Sequence, residues 1–234
     1  MKVWRRLLAA GVLTAMLFTL PGCGSGDVPA SSSGSSGAAS SAAVPEPEPV
    51  VVEPAYYHPL TGVGMDEDLS RLRPVAVMIN DLKAAQPQLG VSQADIIYEM
   101  PAEGGITRMV ALFQSLDGVG NLGSIRSTRA YYLELALGHD ALLVHAGGSP
   151  EAYKDIPAWG VDNMDGVNGG SDAKIFWRDA ERRKTKGYEH SLLTSGEKIQ
   201  EYLDQGHFRT EHKDGYAESL RFRDDGTPRG GTAA

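Results

Sequence analysis

A single cysteine in 234 residues rules out an internal disulfide, so an apolar core must hold the fold. Metal and nucleotide signatures are missing too. His207 and His212 have no HExxH context and no cysteine companions, so no metal site is expected. His145-Ala146-Gly147-Gly148-Ser149-Pro150 lacks the Lys-Ser/Thr of a P-loop and is not G-x-S-x-G. No catalytic triad is recognisable, no internal repeat is visible, and no cofactor is expected. Basic residues are in deficit, 22 against 30 acidic ones, for a net charge of −8. A surface of that sign repels nucleic acid and anionic headgroups, so neither is expected as a bulk partner. The apolar run at residues 7–20 is shorter than the roughly 20 residues that a membrane-spanning helix needs.

What is there begins with the position of that cysteine. Lys2, Arg5 and Arg6 make a basic opening, the apolar run follows, and Leu20-Pro21-Gly22-Cys23 closes it. Basic head, short apolar run and small residues form a secretory signal. Ending in cysteine, the site resembles the lipobox that is acylated on the thiol and cleaved just before it, although Pro21 is an unusual neighbour. A plain signal peptide with an incidental thiol is the other reading. The avoidance of cysteine everywhere else favours the lipobox. Arg5-Arg6 could mark twin-arginine export, but a basic n-region explains the pair as well and is preferred. Residues 1–22 are therefore read as a lipoprotein signal peptide, with acylated Cys23 as membrane anchor on the outer face of the cytoplasmic membrane. One acyl chain binds marginally, and two or more anchor stably.

Residues 23–54 are mostly Ser, Gly, Ala and Pro, with Asp27, Glu46, Glu48 and Glu53 the charged members. Such a stretch buries too little apolar surface to offset ordering, so a disordered linker is expected. Pro45-Glu46-Pro47-Glu48-Pro49 stiffens its far end, and as a coil the linker spans roughly 30 Å.

Residues 55–216 are long enough for one core and read as a single mixed α/β domain. Apolar runs at 74–79, 95–100, 108–114 and 141–145 predict strands buried on both faces. Ser127 is placed to cap a helix through Leu137, stopped by Gly138. Ser149-Pro150-Glu151 opens another helix, and Thr194-Ser195-Gly196-Glu197 forms a capping box for residues 194–203. Strands alternating with helices give the α/β class and leave the strand order open.

The chemistry concentrates at Gly123-Ser124-Ile125-Arg126-Ser127-Thr128-Arg129. Two arginines at a helix start oppose the local dipole, and a broken local rule marks a functional or strained site. Arg126 and Arg129, with Ser127 and backbone N–H groups, could bind a carboxylate or phosphate. Alternatively they pair with internal acids, Glu99 and Glu103 being candidates. Glu103-Gly104-Gly105-Ile106-Thr107-Arg108 reads first as a hairpin-like connection and second as a pocket wall carrying Glu103 and Arg108. His145 could transfer protons, but a structural histidine beside a capped turn is favoured, with Ser149 as N-cap rather than nucleophile. His190 and Glu189 are neighbours that would point opposite ways in a strand, so direct pairing is not expected. Arg182-Arg183-Lys184-Thr185-Lys186 reads as a solvated face before a contact for an anionic wall polymer. Trp159, Trp177 and Tyr153 read as core before sugar-stacking surfaces.

His58-Pro59-Leu60-Thr61-Gly62 joins the 103–108, 123–129 and 145–148 segments and Glu189-His190-Ser191 in an ordered set that resembles the YerB family of bacterial lipoproteins. The resemblance covers about residues 57–203. It implies a lipid anchor, a linker, this α/β domain and a second, largely β domain, with no established reaction. On that basis residues 217–234 read as the truncated start of the second domain. The resulting expectation is a binding or interaction module at the cell envelope, directed at peptidoglycan, its synthesis machinery or an envelope protein. Two alternatives stand beside it: a cell-wall hydrolase using His145, Glu103 and His190, and a truncated, non-functional fragment.

Overall fold

A computed structural model describes residues 53–217 and 220–222. The signal segment, Cys23, most of the linker and most of the expected second-domain start lie outside the described residues.

A short ribbon of β1 (Tyr56–Tyr57) and β2 (Gly64–Met65) comes first, followed by β3 (Val75–Asn80), β4 (Ile96–Pro101) and β5 (Thr107–Phe113). Then come β6 (Asn121–Gly123), α1 (Ala130–Gly138), β7 (Leu142–His145), α2 (Pro150–Trp159) and β8 (Asn163–Asp165). β9 (Trp177–Arg178), α3 (Ala180–Lys186), β10 (Leu192–Ser195) and α4 (Gly196–Asp204) complete the order. The main sheet runs β4-β5-β3-β7-β8, and a smaller one runs β6-β10-β9. β3, β7 and β8 are parallel, whereas β5 is antiparallel to β3 and β4 to β5. The single mixed α/β domain expected from the sequence is what this chain forms.

β3 is the centre of the fold because all six of its residues are buried. Successive side chains of a strand leave on opposite faces. Val75, Val77 and Ile79 enter one layer with Leu122, Leu192, Ile199 and Leu203 from the small sheet and α4. Ala76 and Met78 enter the other with Tyr132, Leu133, Ala136 and Ala152 from α1 and α2. Each fully buried aliphatic side chain there is worth about 1.5–3 kcal/mol over an exposed one.

Three expectations need correction. β4 alternates between half-buried and exposed residues, with Ile97 exposed, because it is the outer strand of the sheet and one face meets solvent. The first helix is capped at Arg129, not Ser127, and starts at Ala130. The last begins one residue late: Thr194 belongs to β10 and donates to the Ile175 carbonyl, leaving the Ser195 hydroxyl to accept from the Lys198 N–H.

Candidate functional site

The late start of α1 builds the site. β3 and β7 pair from Val75–Leu142 to Val77–Val144 and then part. Residues 124–128 occupy the gap in extended form. The Asn80 N–H donates to the Ser124 carbonyl (2.9 Å) and the Arg126 N–H to the Met78 carbonyl (3.0 Å). On the other side, the Ala146 N–H donates to the Arg126 carbonyl (2.9 Å) and the Thr128 N–H to the Gly147 carbonyl (3.0 Å). A segment hydrogen-bonded on both sides cannot also be the first turn of a helix. Its insertion sets Arg126 and Ser127 at the C-terminal ends of the parallel strands, where open α/β sheets bind ligands.

A cavity of about 330 Å³ opens there. Arg126 and Ser127 form one wall, Gly147, Gly148 and Tyr153 another, and Val167 and Asn168 a third, with Arg178, Tyr188 and Glu189 at the remaining side. Asp165, at the end of β8, fixes the floor. Its buried carboxylate accepts from the Gly147 N–H (2.8 Å), the Val167 N–H (2.9 Å) and the Tyr153 hydroxyl (2.7 Å). Burial alone would raise that carboxyl; these three donors outweigh it and hold it below its ordinary range. Burial first, then the bond to Asp165, pushes the Tyr153 phenol up to about 12, so it stays a donor at neutral pH. Gly147 sits at φ +80°, and a Cβ there would lie 3.2 Å from the Ser127 hydroxyl, so the turn favours glycine twice over.

Besides Arg178, three arginines gather at this end. Arg126 donates to Glu189 at 2.5 Å, while its Nε is buried with no hydrogen-bond partner among the described residues. Arg129 makes a two-pronged bond to Glu103 through Nε and a terminal nitrogen, and its other terminal nitrogen donates to the Thr128 carbonyl. Arg108, its side chain 5% exposed, donates to the Ser127 carbonyl at 2.7 Å and stands 3.9 Å from Glu103. Its Nε is likewise buried and unbonded. The two acids are rim groups, 61% and 63% exposed for Glu103 and Glu189. The Arg129 hydrogen bond draws the Glu103 carboxyl down to about 2, and that from Arg126 draws Glu189 below its ordinary value.

Of the residues singled out in the sequence, Arg126 and Ser127 line the cavity, Arg108, Arg129 and Glu103 form a cluster outside its lining, and His145 lies beneath. His145 is fully buried between the Gly147 carbonyl and the Asn163 amide, both at 2.9 Å, and burial pushes its pKa down. The amide donor requires an unprotonated nitrogen, so the ring is neutral there. His190 meets the Asn80 amide at 3.0 Å. Arg182 is not on a solvated face: it is buried and donates to the Ala85, Pro87 and His190 carbonyls, tying the loop that carries Glu189 to the 85–87 turn. Asp165, Asn168 and Arg178 escaped sequence reasoning; the Asp165-Gly166 turn pair was the available signal for the first. Among the described residues no group of three His, Cys, Asp or Glu is placed to hold a metal ion, and no helix is long and apolar enough to cross a membrane.

Fold and site together define an α/β domain with an arginine-lined crevice beyond the ends of its parallel strands. The chain belongs to the family described as "Protein of unknown function (DUF3048) N-terminal domain", whose model matches residues 60–209, and is YerB-like. It is 42% identical over 120 residues to "Putative lipoprotein YerB" of Bacillus subtilis (strain 168), covering 51% of this chain and 35% of that protein. The crystal structure of YerB protein from Bacillus subtilis superposes with a TM-score of 0.59 at 34% identity, covering 68% of this chain and 52% of that one. The match thus spans about a third of the first relative and about half of the second.

Proposed function

We propose that this chain is a lipid-anchored binding protein of the cell envelope, held on the outer face of the cytoplasmic membrane by Cys23. Its crevice takes an anionic group from peptidoglycan, a wall-synthesis component or an envelope protein. The relative's name, a lipoprotein, supports the anchor, as does the basic, apolar, small-residue order before Cys23.

One observation carries the binding reading: Arg126 lines a cavity, its Nε is buried and unbonded, and its sole acidic partner among the described residues is an exposed side chain. A buried donor without a partner is costly, about 1–3 kcal/mol, and an incoming carboxylate or phosphate relieves that cost. In a chain of net charge −8, an arginine-rich pocket also draws anions to one place. Binding rather than turnover is supported by the groups a hydrolase would use. His145, Glu103 and His190 are each bonded elsewhere, and none lines the cavity.

The test is a thermal melt of the full chain with soluble, carboxylate-bearing peptidoglycan fragments. A ligand of the native state at 100 times its Kd adds about 2.7 kcal/mol. The expected outcome is an upward shift that Arg126→Ala abolishes; an unmoved melt with the fragments in excess overturns the reading. Cys23→Ala should move the chain from the membrane fraction to the released fraction.

A further inference from the structure

Two Arg–Glu pairs stand side by side at the crevice, and they differ in a way that says what the crevice is for. Arg129 and Glu103 are joined by two parallel hydrogen bonds, and neither lines the cavity. Arg126 and Glu189 are joined by one bond of 2.5 Å, and both line it. The first pair is closed upon itself. The second presents one charge of each sign to the same small space, and its cation keeps an unused donor at Nε.

Resting on the anion-binding reading above, we infer that the crevice is built for a small zwitterion, a ligand carrying a carboxylate and an ammonium close together, as in a free amino acid or short peptide. A plain anion that displaced Glu189 from Arg126 would leave that carboxylate facing it across the cavity. A plain cation on Glu189 would face Arg126 and also Arg178. A zwitterion exchanges the internal ion pair for two external ones: its carboxylate goes to Arg126 and its ammonium to Glu189, so neither member of the pair is left without a partner, while Arg178 stays on the Tyr188 carbonyl and ring. The exchange costs little at the Glu189 side, because that residue is 63% exposed and sits on the short turn at residues 188–190. The cavity of about 330 Å³ is at the small end of ligand sites, which suits a ligand of one or two residues rather than a polymer. Ser127 also lines the cavity, and its hydroxyl, whose proton goes to the Ala146 carbonyl, can still accept from such a ligand's amide N–H.

Calorimetric titration of the full 234-residue chain in detergent tests this with three probes: alanyl-alanine, its N-acetyl form and its amide. The free dipeptide should bind, and each blocked form should bind about tenfold or more weakly, the cost of one charged hydrogen-bonded partner. Glu189→Gln should erase the preference over the acetylated form, while Arg126→Ala should remove the binding of both. Glu189 is on the surface, so its variant should melt with the parent and report recognition rather than folding. If the acetylated form binds as tightly as the free dipeptide and still depends on Arg126, the zwitterion inference is overturned and the anion crevice stands. Absence of binding by all three probes overturns the inference as well, and the melt with wall fragments then decides separately whether the anion reading survives.

Discussion

The two ends of the main sheet carry arginines, acids and a cavity of similar size, yet they are built to opposite purposes. At the N-terminal ends of the parallel strands, Arg73 uses all three nitrogens: Nε to the Asp140 carbonyl (2.5 Å), one terminal nitrogen to Asp162 (2.6 Å), the other to the Ala141 carbonyl (3.2 Å). Asp140, 3% exposed, accepts from Arg209, His212 and the Lys213 N–H. A cavity of about 310 Å³ borders Arg73 and Arg209, but Arg73 is bonded through every nitrogen and Arg209 through both terminal ones, with its Nε 3.6 Å from Asp162. At the C-terminal ends, Arg108 and Arg126 keep buried nitrogens without partners, and the acids beside them lie on the rim. A cavity and an arginine therefore do not suffice for an anion site. What distinguishes the two ends is hydrogen-bonding capacity left over.

Breaking the closed end should cost the most. Arg73→Met leaves two buried carbonyls without their donor, at about 1–3 kcal/mol each, whereas Asp162 is 37% exposed and keeps Arg209 at 3.6 Å. Arg126→Met, with a partner that water can serve, should cost within about 1 kcal/mol. Urea unfolding of the two variants measures the gap directly, and equal losses would erase the distinction drawn here. The open end has its own structural member, Asp165. Asp165→Asn keeps the shape but turns one acceptor into a donor facing Gly147 and Val167 or Tyr153, at about 1.5–3 kcal/mol. Ligand affinity should fall with it, whereas Arg73→Met should leave the affinity of the folded fraction unchanged.

This contrast explains what could be read from the chain. β3, β5 and β7 were legible because their apolar runs are buried on both faces, and the helix at Pro150 because its cap, proline and acid are local signals. Arg126 was legible as an oddity, a cation at an apparent helix start. The start of α1 was not, because residues 124–128 are claimed by partners in β3 and the β7–α2 loop, a tertiary demand that overrides local helix signals. Asp165, Arg178 and Asn168 reach the crevice from later segments, and no local spacing announces that convergence. Arg182 was misread for the same reason: a basic run looks solvated until the fold supplies carbonyls to one of its members.

Acid should weaken the fold in two stages, the upper set by His145 and the lower by carboxylates at both ends. Burial holds His145 neutral in the folded chain, so the unfolded chain binds the extra proton first, and stability falls as pH drops below about 6.5. That loss stops once pH passes the lowered folded value. Asp140 behaves otherwise. Burial would raise its carboxyl, but bonds from Arg209, His212 and the Lys213 N–H outweigh burial and hold it well below the ordinary range. Its stabilisation is fully present above the unfolded value of about 3.9 and is lost as pH falls through the folded one. Urea midpoints measured in pH steps should thus decline in two stages. His145→Gln should flatten the upper stage and Asp140→Asn part of the lower.

The smallest expected effect is the sharpest check on what an ion pair at the open end is worth. Arg129 and Glu103 have the geometry of a strong pair, with two prongs and a carboxyl drawn down to about 2. Glu103 is nevertheless 61% exposed, so water and salt screen most of that attraction. A double-mutant cycle of Glu103→Gln and Arg129→Gln should therefore return a coupling of only about 0.2–1 kcal/mol, falling further in high salt. A coupling of several kcal/mol that salt leaves unmoved would make this a structural clamp like Arg73–Asp162. The two ends would then differ only at the unbonded Nε atoms of Arg108 and Arg126, and of these two side chains Arg126 is the one that lines the cavity.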